Sequence, residues 1–404
     1  MKIDAKRLGV VCALGVLLLC GGRAFAAPDS PYRHGINITR LFDAPPRAGS
    51  ASFAPWSAEV SPAELKRLRE AGFDFIRLPV DPAFFLDADE AGAAQGMSQL
   101  FDFLHAAEAD GFAVLVDLHP RPGAKVWSPR GILDSLDGPN FTRYTQFAAT
   151  LAARLAADRH GRLALELMNE PQSPCVQSNG TDWTVYQERL LGRVRVSAPS
   201  LPLVVTGGCF SSIDGLAHLD VRNDPNLYVM IHYYEPFQFT HQGAAWSPYS
   251  RYVAGLRYPV RGEDRASAED ASRAYMGRAN LGNASPDTAA AQSENQLNAY
   301  FSHPLDSDAI SRRFDLAAAW ADVAGLPHSH IIVGEFGVMN EGGGLGTAPA
   351  DRAARAQWLH DVSADAAAHG FGWAVWGYHG AFGIVSNDAS RTLDRDVIAA
   401  LFQR

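Results

Sequence analysis

Cysteine is scarce in this 404-residue chain: there are four, at 12, 20, 175 and 209, and none stands in a CxxC pair. HExxH is absent as well, and no HxH pair closes the first apolar run, so the common zinc spacings and the metal-dependent amidohydrolase pattern are excluded and no metal is expected. No glycine-rich GxGxxG or P-loop turn follows an early strand, which argues against a doubly wound nucleotide-binding sheet and against a cofactor of that kind. The longest leading apolar run, Leu8 to Cys20, is far short of the ~20 residues that cross a bilayer. An excess of basic residues is missing too: the net charge is −9, which argues against nucleic acid and anionic lipid as partners. No Ser-, Thr- and Pro-rich linker announces a second module.

What is present begins with a leader. Lys2, Lys6 and Arg7 precede the apolar run, and Ala24-Phe25-Ala26 supplies small residues for cleavage, the pattern of a secretory signal peptide over 1–26. A secreted or periplasmic protein is expected, with one catalytic domain over 27–404. Loss of Lys2, Lys6, Arg7 and Arg23 with Asp4 takes the net charge from −9 to −12. Cys175 and Cys209 then remain in an oxidising compartment, either as one disulfide or as two buried thiols.

Helix and strand signals alternate. Ser61 and Glu64 form a capping box, Pro62 fits the first helical position and Gly72 ends the segment. FDFIRLPV (73–80) reads as a strand, Leu100, Leu104 and Ala107 as a helix face, and 112–119 as a strand again. LALELMNEP, PLVVTGG, NLYVMIHYY, HIIVGEFGV and GFGWAVWGY continue the series, and HGINI supplies the first strand. Eight near-continuous apolar strands separated by helices predict an α/β fold, the (β/α)8 TIM barrel. The interval between His232 and Glu335 is far longer than the other repeats, so 237–300 is predicted to be an insertion after the sixth strand. Its polar second half, from Arg261 to Gln292, reads as mobile.

Two strands end on carboxylates. Glu170 closes LALELMNEP and Glu335 closes IIVGEFG, and in a barrel the ends of the fourth and seventh strands face each other across one mouth. Two carboxyl groups flanking a glycosidic bond, one protonated and one ionised, are the minimum for glycoside hydrolysis.

FIRLPV, the DLH of VLVDLHP, LMNEP, the HYY of MIHYYEP, VGEFG and the Trp of AVWGY, in this order, resemble family 5 of the glycoside hydrolases. The resemblance implies a retaining mechanism with Glu170 as acid/base and Glu335 as nucleophile. It further implies that Arg77 and Tyr234 hold Glu335, that Asn169 binds the sugar 2-hydroxyl, that His119 and His232 bond sugar and carboxylates, and that Trp376 stacks on the sugar before the cut. Read from the residues alone, Arg77 has an alternative partner in Glu166, which shares strand parity with Glu170 one layer deeper and suits a structural role.

The implied substrate is a β-linked polysaccharide or oligosaccharide, with endo-β-1,4-glucanase activity expected first, and β-1,3-glucan, β-mannan or an exopolysaccharide as variants of the same chemistry. A non-catalytic carbohydrate-binding barrel has no use for the full set of carboxylates. Trp56, Trp127 and Trp246 are the candidates for flat faces along a groove, with loop packing an equal alternative for Trp127 and Trp246. A monomer without cofactor is expected.

Overall fold

The computed structural model describes residues 30–43, 55–158, 162–173, 182–221, 224–302, 305–340, 350–386 and 389–403. The predicted leader and Cys175 lie outside the described residues. Eight parallel strands, β1 (His34–Asn37), β2 (Phe75–Val80), β3 (Ala113–Leu118), β4 (Leu163–Glu166), β5 (Leu203–Thr206), β6 (Leu227–His232), β7 (Ile331–Phe336) and β8 (Gly372–Val375), pair in sequence order, and β8 closes on β1. This is the (β/α)8 barrel. Every strand residue except His34 is buried, which is why the strands read as apolar runs rather than as alternations.

Helices α1 (Pro62–Ala71), α2 (Glu90–Ala109), α3 (Pro139–Ala157) and α4 (Trp183–Ser197) precede β2 to β5 in turn. The Ser61 capping box forms, with the Ser61 N–H donating to Glu64 at 2.7 Å. The fifth connection departs from the repeat. It is short, and its described part holds a tight turn (Gly208–Ser211) and a 3-10 segment (Ile213–His218) in place of a long helix.

The sixth connection carries the insertion, and its polar half is largely helical. Helices α5 (Arg265–Met276) and α6 (Pro286–Phe301) stand there before α7 (Ser307–Ala324), and α8 (Arg352–Ala368) and α9 (Arg395–Phe402) complete the ring. Helix formation in so polar a stretch has a physical cause. Alanine is a strong helix former, and α5 needs only the narrow stripe Ala268, Ser272 and Tyr275 to bury one face.

The barrel interior has two layers. The lower is apolar: Tyr32, Phe75, Ala113, Leu115, Ala164, Val204, Tyr228, Met230, Ile332 and Ala374 fill it. Gly334 makes room for this filling, since a Cβ there would lie 1.8 Å from the Met230 sulfur. Above it, two residues further along their strands, Arg77, Asp117, Glu166 and His232 also point inward. Strict alternation from Ile332 would turn Glu335 outward. A register shift between β6 and β7, which sets Ile231 opposite Val333 but His232 opposite Glu335, re-aims it into the mouth.

Candidate active site

Arg77 is the hub of the upper layer, fully buried on β2. Its Nε and Nη2 donate to the two oxygens of Glu166 at 2.8 and 3.0 Å, and its Nη1 donates to Glu335 Oε1 at 2.8 Å. Nη1 also reaches Asn37 Oδ1 at 3.0 Å, and Nη2 reaches Asn169 Oδ1 at 2.8 Å and Asp117 Oδ2 at 3.0 Å. Both partners weighed for Arg77 are therefore real, because one planar guanidinium has donors on two edges. Burial works against its charge, but Asp117, Glu166 and Glu335 more than offset this and raise its pKa well above the ordinary value. Burial pushes the Glu166 carboxyl up, against the pull of Arg77.

The two carboxylates come together above this hub, with one oxygen of Glu170, one of Glu335 and one ring nitrogen of His232 all within 4.8 Å of one another. Their surroundings differ. Glu335 is nearly buried and is held by Arg77 and by the Tyr234 hydroxyl, which donates to Oε2 at 3.1 Å. Glu170 has neither contact, and its side chain is 34% exposed, enough to be reached from the mouth. Burial of its carboxyl raises it to about 7, against the lowering influence of the His119 and Arg77 charges. Its backbone is left-handed at φ 39°, costly for a residue with a side chain and common at functional sites.

His232 Nδ1 lies 2.9 Å from Glu170 Oε1 and 3.7 Å from Glu335 Oε2. Burial lowers it to about 4, so the ring is neutral and can meet Glu170 in either protonation state. His119 differs. Burial opposes its charge, yet Asp117, 2.6 Å from Nδ1, raises it to about 9. The Asn169 amide nitrogen lies 3.2 Å from Nε2 and can donate to it when the ring is neutral. The Trp376 ring stacks on the far side of His119, with centroids 5.6 Å apart and planes 15° apart.

Every predicted site residue thus belongs to one connected cluster, and two of its members had no role assigned from the sequence. Asn37 ends β1 and anchors Arg77. Asp117 shares inward parity with Ala113 and Leu115 on β3, which was a legible signal. The groove tryptophans fare differently. Trp127 is buried, its ring N–H donates to Asp87 at 2.5 Å, and it is no groove wall. Trp56 packs its edge on Phe103 at 5.6 Å. Trp246 is exposed in the insertion. Cys209 is disulfide-bonded, while Cys175 lies outside the described residues.

A cavity of about 900 Å3 opens at the other end of the barrel, lined by Arg33, Asp74, Tyr228 and His330 among others, and contains none of these residues. Among the described residues, Glu170, His232 and Glu335 are also the one group with metal-ligand spacing. Both Glu335 oxygens are already engaged by donors, Oε1 by Arg77 at 2.8 Å and Oε2 by Tyr234 at 3.1 Å, an arrangement that suits proton chemistry.

A closed barrel with two differently held carboxylates at its mouth defines a glycoside hydrolase. The chain belongs to glycosyl hydrolase family 5, the cellulase family, which it matches over residues 43–381. It is similar to Endoglucanase C of Acetivibrio thermocellus, with 24% identity over 348 residues covering 85% of this chain and 91% of the relative. Among solved structures it is similar to the clostridial cellulose synthase subunit Z of Clostridioides difficile, at 22% identity and a TM-score of 0.64, covering 92% and 99% of the two chains. Endoglucanase Cel5A of Thermotoga maritima gives 22% identity, a TM-score of 0.63, and 92% and 98% coverage. No helix among the described residues is long and apolar enough to cross a membrane.

Proposed function

We propose that the protein is a secreted, retaining endo-β-1,4-glucanase acting on soluble glucan, with Glu170 as acid/base and Glu335 as nucleophile. The observation that carries this reading is the asymmetry of the pair. Glu335 accepts hydrogen bonds from Arg77 and Tyr234, which suits a carboxylate that must stay ionised and aimed, while Glu170 has its carboxyl raised to about 7 and can carry the proton a leaving sugar needs. One oxygen of each lies within 4.8 Å of the other, a spacing compatible with the ~5–5.5 Å between the carboxyl groups of a retaining pair.

In this mechanism Glu170 protonates the glycosidic oxygen while Glu335 attacks the anomeric carbon; Glu170 then takes a proton from the water that releases the sugar. Arg77 and Tyr234 orient the nucleophile, Asn169 bonds the 2-hydroxyl, His119 and His232 bond sugar and carboxylates, and Trp376 carries the sugar face. A reducing-sugar assay on carboxymethyl cellulose, laminarin and mannan tests the substrate, with the cellulose derivative expected to be cut fastest. Proton NMR of the fresh product tests retention; first appearance of the α-anomer would overturn it.

A further inference from the structure

We propose that the cavity at the end of the barrel opposite the mouth is a second, non-catalytic site that takes a small organic molecule carrying two or more carboxylate or phosphate groups. The cavity measures about 900 Å3, within the size range of small-molecule sites and more than one inorganic ion would fill. It is framed by residues that lead into the strands: Arg33 before β1, Asp74 before β2, Arg162 before β4, Asp224 before β6 and His330 before β7, with Arg69 reaching in from the end of α1. None of them belongs to the cluster at the mouth.

The chemistry of the cavity follows from which polar groups are already used. Its two carboxylates are committed to the protein. Asp74 Oδ1 accepts from the N–H groups of Arg33 and His34 at 3.1 and 2.9 Å, and Asp224 accepts from Arg195 Nε at 2.7 Å and from the Asn226 N–H at 2.9 Å. The guanidinium groups are not committed. Arg69 donates once, to Phe73 O at 2.9 Å, and Arg162 donates once, to Gly111 O at 2.7 Å; among the described residues neither forms an ion pair, although each carries five N–H donors. Arg33 reaches Asp74 only at 3.7 Å, and its side chain is 61% exposed.

Arg69 and Arg162 also converge. A Cβ on Gly111 would lie 3.4 Å from Arg69 Nε, and the Gly111 carbonyl is the group that holds Arg162, so two like charges gather at one glycine. An anion placed there turns that repulsion into attraction, and a guanidinium suits it because its planar fork bonds a carboxylate or phosphate through two N–H groups at once. A neutral sugar, whose hydroxyls donate as well as accept, is a poorer match to this surplus of donors than an oxyanion, which only accepts. Pro202, Leu326 and the Tyr228 ring, which stacks on His330 at 4.3 Å, add apolar surface that an organic frame can cover and a bare ion cannot.

Isothermal titration with citrate, fructose 1,6-bisphosphate and inorganic phosphate, at ionic strength held constant with sodium chloride, tests the site and separates carboxylate from phosphate ligands. At least one of the two organic oxyanions is expected to bind once per chain and to raise the melting temperature, with inorganic phosphate about tenfold weaker or more. Arg69→Gln and Arg162→Gln should each weaken that binding about tenfold, the loss of one charge-assisted contact. Arg33→Gln changes a mostly exposed side chain, so it keeps the test open if either of the others fails to fold, and should weaken binding about threefold. Arg273→Gln, which removes an exposed charge on α5, should leave binding unchanged. No saturable binding of either organic oxyanion would overturn the proposal. So would equal binding by the wild type and the folded cavity variants, or a matching loss in Arg273→Gln, which would mean general charge attraction. Because the readout is binding and not hydrolysis, the outcome is independent of which polymer the mouth cuts.

Discussion

The two interior layers of the barrel lie one inward position apart on the same strands, yet they are built on opposite principles. Below, Phe75, Leu115, Ala164 and Met230 are packed as any apolar core. Above, at Arg77, Asp117, Glu166 and His232, charge replaces packing, and one guanidinium faces three carboxylates. The difference teaches where stability and chemistry are kept. A buried ion cluster is poor value as stabilisation, since apolar side chains of similar volume often do as well. What it provides here is a Glu335 side chain held by Arg77 close to a Glu170 carboxyl that burial raises to about 7.

The sharpest way to break the comparison is one substitution in each layer. Arg77→Met leaves buried carboxylates unpaired and is expected to cost about 3–5 kcal/mol and abolish activity. Met230→Ala should cost about 2–5 kcal/mol through the cavity it opens, yet keep near wild-type kcat below its lowered melting temperature. Denaturant titration with kinetics on the folded fraction checks both. Full activity in folded Arg77→Met would remove the hub from the mechanism.

A smaller effect comes from pH. A carboxyl raised from 4.5 to about 7 carries its proton below that value, so kcat/KM should hold up to about pH 7 and then fall about tenfold per unit. Decline beginning near pH 5 would mean that the acid has an ordinary pKa. Smaller still is Tyr234→Phe, which removes one donor from Glu335 but leaves Arg77 in place. A loss of about tenfold in kcat with KM little changed is expected, from a hydrogen bond to an ionised group.

How much of this was legible from the chain divides along the same line. All eight strands could be read because burial on both faces makes each an apolar run, and the polar mouth residues could be read because each interrupts such a run or follows directly on it. The bulge that turns Glu335 inward could not be read, since it depends on how β6 and β7 pair rather than on either sequence. Trp127 could be read either way because a tryptophan in a loop after a strand looks the same whether it lines a groove or, as here, packs beneath Arg143 with its ring N–H on Asp87. The choice of Glu166 or Glu335 for Arg77 was left open because a sequence does not show that a guanidinium can serve both.

The central claim is that Glu170 and Glu335 hold different roles, and the anomeric configuration of azide products tests it most directly. With Glu335→Ala, azide can enter the vacated space and displace an activated aryl β-glycoside's leaving group once, which gives the α-glycosyl azide. With Glu170→Ala, the glycosyl ester on Glu335 still forms and azide displaces it from the opposite face, which gives the β-glycosyl azide after two inversions. The account predicts that pair of products; the opposite anomers from the two variants would exchange the roles of the two glutamates and contradict it.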